Sequence, residues 1–280
     1  MSEAAQNASD VAEDYYDSDS ADSFYREIWG GEDIHIGLYD GVGRPPIREA
    51  SAKTVEKMAD MLPHLGPQHQ LIDIGAGYGG TARHFAERYG CTVICLNISE
   101  TQNAYNRECN QQRGLSDKVI VKHGSFEDIP EADNSFEGVL SQDAILHSGN
   151  RPKVLQEVDR VIKPGGDFLF TDPMQADDCP DGVLDPILNR IHLDTMGSVA
   201  FYRSALKDHG FQEIEVIECP EMLRAHYASV AQALRDHYTE MVGKAGQDYV
   251  DRMLKGLQHW VDGADQGYLN WGFLHFRKNG

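Results

Sequence analysis

Leu71-Ile-Asp-Ile-Gly-Ala-Gly-Tyr-Gly-Gly80 is the segment that decides the fold of this 280-residue chain. The short apolar run 70–74 reads as a strand, and it passes without a break into glycines and then a helical pattern. Glycines 75, 77 and 80 satisfy GxGxxG, and 75, 77 and 79 satisfy GxGxG. Both patterns have one physical cause, a tight strand-to-helix turn whose backbone comes close to a ligand. A purely structural turn would carry the same glycines, so the loop alone does not name the ligand.

Outward from the loop, apolar runs alternate with helical stretches. Strands are predicted at 70–74, 91–96, 118–122, 136–141 and 167–172, with helices at 80–89, 99–112 and 151–162 between them. Alternation of this kind implies a parallel sheet covered on both faces. A sixth strand, 213–218, follows a helix at 198–209, and 267–276 supplies a seventh. The expected fold is α/β: a Rossmann-like, seven-stranded, mostly parallel sheet with helices on both faces and a helical cap. Upstream, 51–62 reads as a helix with Ser51 as N-cap and Pro63 beyond it. Phe24, Tyr25, Ile28 and Trp29 form a helical stripe stopped by Gly30 and Gly31. Residues 1–12 are expected to be a disordered acidic segment, and 13–280 one domain. Within it, 13–50 form an N-terminal cap and 51–175 the cofactor-binding core. Residues 176–280 complete the sheet, and 221–262 read as a two-helix insertion that covers something.

Composition removes whole classes of function. There are 45 acidic against 25 basic side chains, a formal charge of −20. Such a surface opposes binding to nucleic-acid phosphates and to anionic membranes. No run approaches the ~18 apolar residues of a membrane span, and the N-terminus has no signal-peptide pattern. Five scattered cysteines and the histidine spacings give no metal-ligand pattern, so no metal is expected. The expectation is a cytoplasmic protein acting on a small molecule. The oligomeric state is not legible.

Two details choose among nucleotide cofactors. Asp73 lies inside the strand, two residues before the first glycine, where dinucleotide folds usually carry an apolar residue. A carboxylate there can meet the ammonium of a bound amino acid, which suits S-adenosylmethionine better than a pyrophosphate. At the end of the second strand, Leu96-Asn-Ile-Ser-Glu100 lacks the acidic ribose marker expected for NAD, although Asn97 can bond a ribose hydroxyl.

Taken together, Asp73-x-Gly-x-Gly-x-Gly79, Asn97-Ile-Ser, Gly124-Ser-Phe-Glu-Asp128, Ser141-Gln-Asp-x-x-x-His147 and Lys163-Pro-Gly-Gly166 resemble the class I S-adenosylmethionine-dependent methyltransferases over about residues 50–175. The resemblance implies a cofactor site. Gly75 and Gly77 would pass under the methionine part, Asn97 and Gln102 would bind the ribose, and Ser125 and Phe126 the adenine. Gln142 and Trp29 would complete the site, and S-adenosylhomocysteine would be the product. Asn97 departs from the commonest class pattern, where an acid is usual, and matches the branch that methylates small molecules and lipids. The segment after strand four lacks the Asn/Asp-Pro-Pro-aromatic motif of enzymes that methylate nucleic-acid amines.

Over nearly the whole chain, including Phe24-Tyr-Arg-Glu-Ile-Trp-Gly-Gly-Glu-Asp-Ile-His-Ile-Gly-Leu-Tyr39 and Asn270-Trp-Gly-Phe-Leu-His-Phe-Arg-Lys278, the sequence resembles the sarcosine/dimethylglycine N-methyltransferases of halophilic bacteria. The resemblance implies methylation of a small-molecule amine toward glycine betaine, an osmoprotectant. The acidic, Lys-poor composition (10 Lys, 15 Arg) is consistent with a salt-rich cytoplasm. His147 and Asp172 are the expected catalytic residues, with His147 acting as base or only orienting the amine. For the substrate carboxylate the sequence offers Arg26, Arg44, Arg190 and Arg203; Tyr25, Arg26, Tyr202 and Arg203 are the expected substrate-binding set. Tyr15, Tyr16 and Tyr39 are further candidates for an aromatic cage, although each one singly is more often core or surface packing. Two alternatives stay open: a methyltransferase for a phosphobase, sterol or natural product, and a catalytically inactive cofactor-binding protein.

Overall fold

The computed structural model describes Phe24, Ile28, Trp29, residues 31–39 and residues 45–280. Its centre is a seven-stranded sheet. The strands are β1 (Gln70–Ile74), β2 (Thr92–Asn97), β3 (Val119–His123), β4 (Phe136–Gln142), β5 (Ile162–Gln175), β6 (Phe211–Glu218) and β7 (Leu269–Lys278). Their order across the sheet is β3-β2-β1-β4-β5-β7-β6. The first five run parallel, and β7 enters antiparallel between β5 and β6. The chain therefore turns outward in both directions from the β1–β4 pair. The crevice beyond the carboxyl ends of those two strands is where open α/β sheets bind ligands.

Nine helices are described: α1 (Ile47–Met61), α2 (Gly80–Tyr89), α3 (Glu100–Gln112), α4 (Arg151–Val161), α5 (Asp185–Leu188), α6 (Val199–Asp208), α7 (Pro220–Asp236), α8 (Tyr238–Ala245) and α9 (Gln247–Asp265). Their start signals are local. The side chains of Ser99, Asn150 and Ser198 accept the N–H of Gln102, Lys153 and Phe201, closing the first turns of α3, α4 and α6. The stretch 221–262, read as two helices, forms most of three. The break at His237 carries neither Gly nor Pro, and Gly246, at φ +85°, marks the second break.

Side chains on the two faces of the sheet enter separate cores. Ile72, Val139, Phe168 and Phe170 pack with Val154, Val158 and Leu206 of α4 and α6. Leu71, Cys95, Leu140 and Trp271 pack with Phe85 of α2, Leu223 and Val230 of α7, and Leu257 of α9. Two helices that follow β6 in sequence thereby cover the crevice from above. The proposed disordered segment 1–12 lies outside the described residues, as do Tyr25 and Arg26. Among the described residues no helix is long and apolar enough to cross a membrane.

Candidate active site

Beyond the carboxyl ends of β1 and β4 lies a cavity of about 260 Å³. One end is the glycine turn. Gly75 and Gly77 both line it, with φ of +77° and +52°. A Cβ on Gly75 would fall 2.4 Å from the Ala144 Cβ, so this turn accepts no side chain. The turn is pinned to the next strand by the Gly75 and Ala76 N–H groups, which donate to the Leu96 carbonyl at 2.8 and 3.2 Å. Asn97, Gln102, Ser125, Phe126 and Gln142 line the same end. Asn97 Nδ2 donates to Gln102 Oε1 at 3.0 Å, which brings these two amides together on one wall. Gln142 Oε1 accepts from the Thr81 hydroxyl, while its Nε2 is buried without a partner.

Asp73 is placed differently from expectation. It is buried behind the turn and does not line the cavity. Burial pushes its pKa up to about 7.

The other end of the cavity is aromatic. Trp29 and Tyr227 meet edge to face at 5.7 Å between ring centroids, and Tyr227 stacks on Trp260 at 4.7 Å. All three line the cavity, together with Met253, Leu257 and Arg190. The insertion thus covers the cavity, as its length suggested. Tyr227 and Trp260 escaped sequence reading because each belongs to an ordinary apolar helix face: Leu223, Tyr227 and Val230 on α7, and Met253, Leu257 and Trp260 on α9. Periodicity gives such a face but not what it looks at. Arg190 did carry a signal. It is the one Lys or Arg in 176–198.

Between the two ends stand His147 and Asp143, both on the wall. Burial, and secondarily the Arg151 guanidinium, push the His147 pKa down to about 4, so the ring is neutral at physiological pH. Asp143 is the residue that sequence reasoning left inside its motif without a role. It holds φ +50°, a conformation tolerated by Asp better than by most residues. Its carboxylate accepts from the Ile36 N–H at 2.6 Å, Trp271 Nε1 at 2.7 Å and Thr171 Oγ1 at 2.8 Å. Burial raises its pKa to about 6, and these three donors favour the ionised form.

The Ile36 contact belongs to a strap, residues 31–39, that closes the cavity. Ser51 and Thr54 of α1 donate to the His35 and Ile36 carbonyls, each at 2.7 Å, and Gly37 N–H donates to His226 Nδ1 at 3.1 Å. Glu32 anchors the strap's start by an ion pair with Arg83 at 3.0 Å, whose guanidinium is wholly buried. Burial lowers the His35 and His226 pKa values to about 4 and about 3, so both rings are neutral in the folded chain.

Four expected site residues are corrected. Tyr202 does not reach the cavity: it is fully buried on α6, and its hydroxyl donates to Asp172 at 2.6 Å. Arg203, the next residue, projects to the surface and pairs with Glu213 at 2.8 Å. Asp172 does not touch the His147 ring. Its two oxygens accept from Tyr202 and, at 2.9 Å, from the Leu146 N–H. It therefore fixes the short turn Ile145–His147 by its backbone, and burial raises its pKa to about 7. Tyr39 bonds His226 at 2.9 Å and is likewise off the cavity wall. Among the described residues no group of three or more His, Cys, Asp or Glu is placed to hold a metal ion.

A family profile described as a methyltransferase domain matches residues 72–170. The chain is 51% identical over 267 residues to the sarcosine/dimethylglycine N-methyltransferase of Aphanothece halophytica, covering 95% of this chain and 96% of that one. It is 49% identical over 271 residues to the sarcosine/dimethylglycine N-methyltransferase of Halorhodospira halochloris, covering 97% of each. A crystal structure from Galdieria sulphuraria, assigned as a sarcosine dimethylglycine methyltransferase, superposes with a TM-score of 0.90 at 43% identity over 95% of this chain and 99% of that one.

Proposed function

The chain belongs to the sarcosine/dimethylglycine N-methyltransferase family, and from that premise we propose that it transfers methyl groups from S-adenosylmethionine to sarcosine and dimethylglycine in the cytoplasm. Glycine betaine and S-adenosylhomocysteine are the products. One observation carries the reading: a single cavity joins a glycine turn at the sheet's switch point to an aromatic wall, with a neutral His147 between them.

The glycine end fits S-adenosylmethionine. Gly75 and Gly77 leave bare backbone for the methionine part, and the buried, unpartnered Gln142 Nε2 offers it a donor. Asn97 and Gln102 would hold the ribose, and Ser125 and Phe126 the adenine. When bound, the cofactor supplies a methyl carbon made electrophilic by its sulfonium.

The rest is done by this chain's own side chains, chiefly as positioning. The strap and the helices α7 and α9 exclude water. The acceptor nitrogen must present a lone pair, and the faces of Trp29, Tyr227 and Trp260 favour the positive charge that nitrogen gains. His147 can accept a hydrogen bond from the N–H of the protonated acceptor, or of free sarcosine, and so aim it; free dimethylglycine has no N–H, so its proton leaves before transfer. With a pKa near 4 it is too weak a base to keep the proton, which leaves to water. Rate should therefore rise with pH as the amine deprotonates, without an inflection at an ordinary imidazole pKa. Glycine should be a poor acceptor, because the apolar wall is left unfilled by a bare amine.

The deciding experiment is transfer of a labelled methyl group to sarcosine and dimethylglycine, with products identified by mass. His147→Ala misplaces the amine and should lower kcat by about 10²-fold while the S-adenosylhomocysteine Kd stays within about twofold. If dimethylglycine is left untouched while a sterol, phenol or phosphobase is methylated, the substrate assignment fails. Tight cofactor binding with no transfer to any acceptor would leave a cofactor-binding protein.

A further inference from the structure

Helix α9 carries Gly256 in its interior, where glycine weakens a helix and needs a reason. The reason is Arg190. A Cβ at position 256 would fall 2.3 Å from Arg190 Nη1, 2.4 Å from Cζ and 2.5 Å from Nε. The guanidinium therefore lies against the bare face of the glycine. Its Nη2 sits 2.7 Å from the sulfur of Met253, one turn earlier on the same helix. A thioether is a weak acceptor, and the contact leaves most of the five guanidinium donors without a strong partner. Among the described residues no carboxylate pairs with Arg190, in a chain where acids outnumber bases 45 to 25. The other arginines near this part of the chain are engaged: Arg203 with Glu213, Arg224 with Asp265, and Arg151 with Thr195.

Arg190 nevertheless lines the cavity, on the same side as the aromatic wall of Tyr227 and Trp260. A cation held flat at a cavity wall without a counter-ion is matched to a planar anion, which a guanidinium grips with two parallel hydrogen bonds. We infer that Arg190, laid in place by Gly256, binds the carboxylate of the methyl acceptor and selects short ammonium carboxylates over amines that lack the acid group. Gly256 is then a positioning residue acting through Arg190. The inference rests on the proposal above that this cavity takes an amino-acid acceptor.

The test compares dimethylglycine with N,N-dimethylethanolamine, which has the same amine head and a hydroxyl in place of the carboxylate. The wild-type chain should prefer dimethylglycine. Arg190→Gln should raise its KM by about tenfold or more, as expected for a lost charge-assisted pair, and should erase most of the preference between acceptors. Gly256→Ala should raise the same KM by about three- to tenfold and add little to Arg190→Gln in the double variant. In both, the Kd of S-adenosylhomocysteine should stay within about twofold, which a general loss of structure would not allow. Binding of dimethylglycine to the protein loaded with S-adenosylhomocysteine reads the same anion site without turnover. If the wild-type chain binds dimethylglycine and Arg190→Gln binds it equally well, the inference is overturned while the proposed function stands. If the wild-type chain does not bind dimethylglycine at all, both fall.

Discussion

The glycine end and the aromatic end of the cavity are built in opposite ways. At the glycine end, Gly75, Asn97, Phe126 and Gln142 sit on turns or strand ends that follow β1, β2, β3 and β4, four neighbours in one parallel sheet. The sheet's ladder sets those positions, and short local hydrogen bonds such as that from Asn97 to Gln102 finish them. At the aromatic end, Trp29, Arg190, Tyr227 and Trp260 come from four stretches that no sheet ladder joins; they meet through ring packing and side-chain hydrogen bonds. A framework of this kind can keep its cofactor half while the acceptor half is exchanged, because only the second half depends on which loops and helices are laid over the sheet.

Three changes probe that division. The largest effect should come at Asp143, which stands on the wall between the two halves. Asp143→Ala strands the Ile36 N–H, the Trp271 indole N–H and the Thr171 hydroxyl, all enclosed. Each lost partner costs about 1–3 kcal/mol, so urea denaturation should show destabilisation of about 3 kcal/mol or more, with turnover abolished. Unchanged stability would mean that the two ends are not joined through this carboxylate. A smaller and one-sided effect belongs to Trp260→Ala. It removes one ring of the stacked pair and should raise the KM for dimethylglycine by about tenfold, leaving cofactor binding alone in a calorimeter. Loss of both affinities together would blur the division.

The smallest effect tests the glycine end alone. Asp73 carries a pKa raised by burial to about 7, so below that pH it is largely protonated. Asp73 does not line the cavity, so a bound cofactor ammonium acts on it only as a field across the turn; that field favours its ionised form, and binding should release a proton. Affinity for S-adenosylhomocysteine should then climb as pH rises toward 7 and level off above it, by at most about tenfold per unit. Asp73→Asn should flatten that slope without altering acceptor KM. An equal slope in the variant would show that Asp73 is not linked to the cofactor.

The same division governs how much could be read from the chain. Strand β1 and helix α2 begin and end where the sequence predicts, because the glycines between them punctuate both elements and form the turn that lines the cavity. Chemistry and punctuation coincide there. The acceptor half has no such coincidence. Tyr202 and Arg203 were both expected at the substrate, yet neighbours on a helix point about 100° apart, and α6 buries the first and exposes the second. Asp172 and His147 were both expected to be catalytic, yet only His147 lines the cavity. The carboxylate instead takes a backbone N–H, a partner that no side-chain pattern records. Trp260 was hidden by being a good core residue, and Gly256 by looking like a helix defect.

Strand β7 has a consequence in time as well as in space. It is the last element in the chain, yet its Trp271 indole grips Asp143, 128 positions earlier. A polypeptide emerging from the ribosome can pair β1 through β5 while the floor of the cavity still lacks that anchor. Closing so distant a contact is slow relative to local helix formation. Competence to bind both ligands should therefore appear in one late step rather than accumulate during synthesis, and until then the sheet edge at β5 stands open to whatever strand comes near.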